Sequence, residues 1–357
     1  MSLHSQQTND QRPTNGTLKR FIGCAVLLSF LAHTFGIARA AERSANDPPA
    51  PPASEKQKVI IDTDIGSDID DAFAVALALS SPEIEILGFT TGFGDTIARA
   101  KIIDRMLTES GRTRIPVAVG RSTTTVPSGF GRQALIGLQK RYGESAPSAK
   151  ASHTSAVDFI LEQIRRFPGQ VTLVTIGPLS NIGDLIDKDA ATFGKLNRVV
   201  MMGGWVAPLS TERGQWFEPA PEHNIAGDIG AAKKLFRSGV PLYVMPLDST
   251  IHLALDEVKR SAMFSRGVPL TNSLGLLYLL WGGTTPVLFD SMAVAFVVNP
   301  QLCPVESLHI DIDDNGISRV NAGPPNAHVC LHSDPEIFFD YHIGRVAPPT
   351  QADEAAR

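Results

Sequence analysis

Five aspartates, Asp62, Asp64, Asp68, Asp70 and Asp71, fall within ten consecutive residues of the stretch KVIIDTDIGSDIDDAFAVALAL, Lys58 to Leu79. Carboxylates at that density can hold a hard cation through oxygen donors, or take and give protons at a reacting centre. Either use requires the groups to converge, so the flanking pattern decides. Val59, Ile60 and Ile61 form a short apolar run that reads as a buried strand, and Ala72, Val75, Ala76 and Leu79 recur at helical spacing. The carboxylates therefore sit where a strand hands over to a helix, the place at which open α/β sheets hold their ligands. Gly66 lets the backbone turn tightly there. A helix N-terminus carries roughly half a unit of positive charge, too little to offset five carboxylates, and oxygen donors favour calcium or magnesium.

A solvated acidic turn with an Asp helix cap accounts for one or two aspartates, not for five directly after an apolar strand. An EF-hand loop counted from Asp62 or Asp64 needs Glu at about its twelfth position and meets Phe73 or Val75. The Asp62–Asp64 pair also resembles haloacid dehalogenase-type phosphatases, although Gly66 stands where those carry Thr or Val. A phosphatase remains the second reading.

The elements needed to position such a cluster follow along the chain. Its 357 residues carry a net charge of −5 and no basic stripe, which suits one globular enzyme core and argues against a nucleic acid polymer as partner. Lys19 and Arg20 precede an apolar run from Phe21 to Ile37, closed by Ala38-Arg39-Ala40. That pattern predicts a signal peptide over residues 1–41, and the run, interrupted by His33, is short for a stable membrane anchor. Residues 42–56, with NDPPAPPAS, read as a Pro-rich linker, 57–346 as the catalytic domain and 347–357 as a tail. Strands are expected at Glu85–Thr91, Ile115–Val119, Val171–Ile176, Asn197–Met202 and Val240–Pro246. Helices are expected at Thr96–Leu107, Ala156–Phe167, Gly227–Phe236 and Asp256–Phe264. This alternation predicts a single α/β domain with a mostly parallel central sheet flanked by helices. The segment from Ser307 to Ile343 reads as two strands and a helix, with Asp313-Asp314-Asn315-Gly316 as a hairpin turn.

The motif DTDIGSDIDDA resembles the signature of the inosine-uridine-type nucleoside hydrolases, calcium-dependent N-ribohydrolases, many of which carry a shorter DxDPGxDD form. Here Ile65 replaces the Pro, and two extra residues separate Gly66 from the last Asp pair. Asp62, Asp64 and Asp71 match directly, while Asp68 and Asp70 are alternatives for the remaining acidic position, which contacts ribose. The resemblance continues to about Val346 and implies a nucleoside hydrolase-like fold, calcium as cofactor, a nucleoside as the small-molecule partner, and a homodimer or homotetramer. TTGFGD places Asp95 where the family has an Asn that contacts a ribose hydroxyl, although a helix cap explains Asp95 equally well. LVTIGPLSNIGDL makes Ile176 the residue whose carbonyl would face the calcium. MMGG followed by EPAPEHNIAGD makes Glu222 and Asn224 contacts to the 5′ hydroxyl. FDSMAVAF makes Asp290 both a calcium ligand and a sugar contact. The implied metal set is Asp64, Asp71, Ile176 and Asp290, with Asp64 also the general base, and Asp68 or Asp70, Asp95, Glu222, Asn224 and Asp290 on the sugar.

One departure matters most: Phe289 stands where one subgroup has a His that helps the base to leave. Trp205, Tyr278 and Trp281 are aromatic candidates for stacking on the base, and His223 and His252 are candidate acids. Without a positioned donor, purine ribonucleosides are the favoured substrates. A calcium-dependent nucleoside-binding protein without turnover is a third reading. After signal removal Cys303 and Cys330 remain, and an oxidising compartment permits a bond whose pairing sequence does not give. N-terminal sequencing of protein from the native host should find a mature chain beginning close to Ala41, outside the cytoplasm.

Overall fold

The structure is a computed structural model and describes residues 55–127, 129–131, 134–145, 153–210 and 215–348. The expected signal peptide, most of the linker and nearly all of the tail lie outside the described residues. Among the described residues the strands are β1 (Gln57–Thr63), β2 (Ile84–Thr91), β3 (Val117–Val119), β4 (Thr154–Ser155), β5 (Val171–Thr175), β6 (Arg198–Met202), β7 (Leu209–Ser210), β8 (Trp216–Phe217), β9 (Leu242–Met245), β10 (Glu306–Leu308), β11 (Ile310–Ile312), β12 (Ser318–Val320) and β13 (Ala327–Val329). Helices are α1 (Asp70–Leu79), α2 (Thr96–Glu109), α3 (Lys140–Glu144), α4 (Ala156–Arg166), α5 (Ser180–Phe193), α6 (His223–Gly227), α7 (Ile229–Phe236), α8 (Leu247–Thr250), α9 (Glu257–Phe264), α10 (Pro269–Trp281), α11 (Phe289–Val298) and α12 (Pro335–Val346).

Nine strands form one sheet in the order β10-β13-β9-β6-β5-β1-β2-β3-β4, parallel throughout except where β10 pairs antiparallel with β13. From β1 the chain runs outward through β2, β3 and β4, then returns to β5 on the other side of β1. The direction of winding thus reverses between β1 and β5, and a crevice opens beyond their carboxyl ends. Alternation along β1 feeds a core on each face: Val59 and Ile61 enter one, Ile60 the other. The first core holds α1 and α11, and the second is built with α4, α5 and α7. Every residue of α1 is buried, as are Asp290 to Val297 of α11, and the two helices pack against each other. Helical spacing marks α1 correctly, but the helix has no solvent face.

Several expectations change. The helix expected over Gly227–Phe236 breaks at Asp228 (φ −153°), whose carboxylate caps α7 by accepting from the Ala231 amide at 3.0 Å. The C-terminal segment has four short strands rather than two: β10 and β13 extend the main sheet, while β11 and β12 form a separate hairpin around Asp313 to Gly316. Asp290, left without an element by the sequence, lies in the first turn of a helix, α11. An all-round apolar run such as Met292–Val298 carries no periodicity that separates buried helix from buried strand. Cys303 and Cys330 are joined in a disulfide with Cα atoms 5.6 Å apart, tying the chain after α11 to the end of β13. Among the described residues no helix is long and apolar enough to cross a membrane.

His342 on α12 is fully buried beside the rings of Phe73 and Phe338. Burial, only partly offset by the Phe73 backbone, pushes its pKa down from 6.5 to about 4. The native ring therefore stays neutral while the unfolded ring binds a proton, so stability falls as pH drops from about 6.5 to about 4. Unfolding titrations should show His342→Leu losing that acid-side slope, on the order of 3 kcal/mol across the window.

Candidate active site

The loop after β1 is shaped by what it must avoid and what holds it. Gly66 has φ +105°, a backbone conformation that disfavours any side chain, and a Cβ there would also press on Ile102 Cδ1 at 2.8 Å. At the end of β5, a Cβ on Gly177 would lie 2.9 Å from the amide and from Oδ1 of Asp64. Only glycine lets that strand end come so close. Thr63 donates its hydroxyl to the Asp71 carboxylate and accepts from the Ile65 amide at 3.0 Å, which locks the strand end to the helix start. Beneath the loop the buried guanidinium of Arg99 donates to the main-chain carbonyls of Asp64 and Ile65.

The loop and the helix starts bring carboxylates together. Oxygens of Asp70, Asp71 and Asp290 all lie within 4.8 Å of one another, and each residue is at most 4 % exposed. Asp70 and Asp71 open α1 and Asp290 lies in the first turn of α11, so two helix N-termini face the same charges. Burial first, then mutual repulsion, holds the carboxyls of Asp70, Asp71 and Asp290 well above the usual carboxylate range. The Asp290 amide donates to the Asp70 carboxylate at 3.3 Å. Asp64 lines the same cavity, with Oδ2 3.7 Å from Nε2 of His223 and 3.8 Å from Nη2 of Arg99. Asp62 lies deeper and accepts from the Thr90 hydroxyl and from Asn181 Nδ2, while burial raises its pKa to about 6.

Above these groups is a cavity of about 450 Å³, within the usual range for small-molecule sites. Asp64, Asp68, Asp70, Asp71, Ile176, Glu222, Asn224 and Asp290, all expected from the sequence, line it. Of the two alternatives, Asp70 joins the buried cluster, whereas Asp68 is exposed at the mouth. Surrounding protein still desolvates the Asp68 carboxyl enough to raise its pKa. Both oxygens of Glu222 are committed to amides, of Gly204 at 2.8 Å, Asn224 at 2.9 Å and Ile225 at 3.2 Å, which fixes its carboxylate at the rim of α6. Asn224 donates to the Met202 carbonyl at 3.1 Å. Asp95 is not brought to the cavity: it is exposed and caps α2, accepting from the Ala98 amide at 3.0 Å. Trp281, Phe289 and His223 line the cavity, while Trp205, Tyr278 and His252 do not.

Sequence reasoning missed Phe130, a second aromatic wall, and Arg99. His223 meets Phe130 edge-on at 4.8 Å and Phe93 at 5.7 Å. The signal for Arg99 was present: it shares the helical stripe of Ile102, Ile103 and Met106, where a charge is out of place. Nothing local marks Phe130.

The donor set fits a divalent cation. Three buried carboxylates within one ion's reach supply hard oxygen ligands, and their raised pKa values mark ionised forms that lack a counter-charge. The fold and the acidic cavity thus define a candidate metal-binding enzyme site at the carboxyl edge of a parallel sheet. A sequence profile described as inosine-uridine preferring nucleoside hydrolase matches residues 59–340, and the chain belongs to that family. It is a nucleoside N-ribohydrolase, an enzyme acting on N-glycosyl bonds. It is 31 % identical over 275 residues to uridine nucleosidase 1 of Arabidopsis thaliana, covering 73 % of this chain and 80 % of that one. It is 28 % identical over 286 residues to the pyrimidine-specific ribonucleoside hydrolase RihB of Escherichia coli O1:K1, covering 76 % and 85 %. Among solved structures, the purine-preferring ribonucleoside hydrolase from Gardnerella vaginalis superposes with a TM-score of 0.67 at 24 % identity, covering 82 % of this chain and 98 % of that one, and has the same fold.

The raised carboxyls give the metal-free protein a defined pH response. As pH falls through the folded values, about 6 for Asp62, the native state takes up protons that the unfolded state binds only near 3.8. Metal-free protein should therefore be more stable at about pH 6 than at about pH 8. A divalent cation, which needs the ionised forms, should raise Tm more at the higher pH. Melting curves with chelator and with calcium at the two pH values measure both effects.

Proposed function

We propose that the enzyme hydrolyses ribonucleosides, purines in preference, to free base and ribose, with Asp64 as general base and calcium as the metal. The observation that carries this reading is the buried set Asp70, Asp71 and Asp290 beside Asp64 on the floor of one cavity. Asp64, Asp71, Asp290 and the Ile176 carbonyl would hold the ion. When bound, calcium supplies a template for water and the ribose diol and some polarisation of that water. Asp64 takes the proton of the attacking water. Cleavage develops positive charge on the ribose ring, which the surrounding carboxylates stabilise. Asp70, Glu222 and Asn224 grip hydroxyls so that the base alone is free to depart, and Asp68 stands at the mouth to meet the incoming nucleoside.

The leaving base meets Phe130, Trp281 and Phe289, with His223 the only imidazole among the described lining residues. Aromatic walls favour a purine, since offset stacking adds roughly 0.5 to 1.5 kcal/mol beyond burial. Purines also accept a ring proton more readily than uracil, which suits a site where Phe289 cannot donate one. The relatives do not decide this: some are named for uridine or pyrimidines, another for purines. Family membership weighs against the phosphatase and the non-catalytic binder. Export of the chain, supported by the Cys303–Cys330 bond, belongs to the same reading, as does a homodimer or homotetramer.

Free ribose released from inosine, guanosine and uridine, beside a phosphomonoester control, tests the reading. The purines should show the higher kcat/KM and the phosphomonoester no turnover. Asp64→Asn should cut kcat roughly 10²- to 10⁴-fold in a folded protein. Uridine outpacing both purines would reverse the base preference alone.

A further inference from the structure

The arginine beneath the site has no part in the chemistry above, yet three of the residues it touches, Asp64, Ser67 and Ala134, line the cavity. Arg99 is 0 % exposed. Its Nε donates to the Phe93 carbonyl at 2.7 Å, and its Nη1 to the carbonyls of Asp64 and Ile65, the latter at 2.8 Å. Its Nη2 donates to the Leu135 carbonyl at 2.6 Å, the Ser67 hydroxyl at 2.9 Å and the Ala134 carbonyl at 3.1 Å. The Asp64 carboxylate, 3.8 Å from Nη2, lies beyond hydrogen-bond reach. The guanidinium is therefore spent on the main chain that carries Asp64, not on its carboxylate.

We propose that Arg99 is a positioning residue that fixes the Asp64 carboxylate relative to Asp70, Asp71 and Asp290, and couples it to the cavity wall at Ala134. The proposal rests on the reading of Asp64 as base and metal ligand. Two further observations support it. Phe93 has φ +58°, a conformation rare for a bulky residue, and the carbonyl it turns inward is the one Arg99 Nε meets. The segment from Gly66 to Asp70 is also two residues longer than in the short form of the motif, so it needs anchors of its own. Arg99 supplies them, with Gln139, whose Nε2 donates to the Asp68 carbonyl at 2.6 Å. A lysine offers donors from a single point and cannot serve acceptors on both segments, so several buried carbonyls would lose their partners.

Arg99→Lys tests this, assayed with a nucleoside well below its Tm and titrated with calcium in a calorimeter. Displacement of Asp64 should lower kcat about 100-fold, leave KM within about threefold, and weaken calcium about tenfold. A purely structural role would lower Tm while leaving kcat per folded molecule and calcium affinity unchanged, and that result overturns the proposal. If Arg99→Lys does not fold, Arg99→Gln, assayed at a temperature where it is folded, takes its place, because the Ser67 hydroxyl also approaches the Asp64 carboxylate itself at 3.5 Å and cannot serve as a clean second site. A drop in both kcat per folded molecule and calcium affinity then supports the proposal, and no change in either overturns it. If the wild-type protein releases ribose from no nucleoside, the ribohydrolase reading fails, and calcium affinity alone judges Arg99.

Discussion

Like charges crowded out of water are the constraint to which the rest of this structure answers. Asp64, Asp70, Asp71 and Asp290 are each at most 4 % exposed, and oxygens of the last three lie within 4.8 Å. At an effective dielectric of about 20, two unit charges at that separation repel by roughly 3 kcal/mol, and several such pairs would have to be borne at once. The fold meets this in layers. Two helix N-termini point at the cluster, Thr63 donates to Asp71, Thr90 and Asn181 donate to Asp62, and the cavity leaves room for a divalent ion. Without that ion the carboxyls hold protons instead, so the site exchanges one kind of neutralisation for the other.

The sheet's winding decides which residues can join this cluster. Because the chain reverses direction between β1 and β5, Asp64 and Ile176 leave neighbouring strands at the same edge, and Gly177 lets them approach closely. α11 then delivers Asp290 from more than 200 residues away, held against α1 by apolar contact along buried faces. Catalytic geometry here is a packing result: the helices are placed by their cores, and the carboxylates ride on their first turns.

Local pattern was enough to read the aspartate run, most strands of the parallel sheet and their alternation with helices. Strand–turn–helix patterning leaves its mark within a few residues. Glu222, Asn224 and Asp290 came instead from the family resemblance of short motifs, and the fold brings them to one cavity. Which of Asp68 and Asp70 turns inward was beyond local pattern, because the pattern does not show where the loop ends and α1 begins, and only Asp70 falls on the helix. Asp95 shows the converse: a motif match pointed to the sugar, while the residue's own amide neighbours made it a helix cap. The Arg99 side chain finds every hydrogen-bond partner but Phe93 more than about 30 residues away, and Phe130 meets His223 farther off still, so no short window along the chain contains them. The four strands of the C-terminal segment, three residues each, are too short to show a period.

The burial of α1 on all sides has an evolutionary consequence. A helix with no solvent face offers few positions where a substitution is silent, and α11 beside it is nearly as enclosed. The acidic floor of the cavity is therefore frozen by its own packing. The wall around Phe130 and the connection between β6 and α6 run in loops, where the chain can change length and composition without disturbing either core. Selectivity for the base can drift along those two loops while the chemistry beneath stays fixed, so enzymes with one floor can part company over purines and pyrimidines.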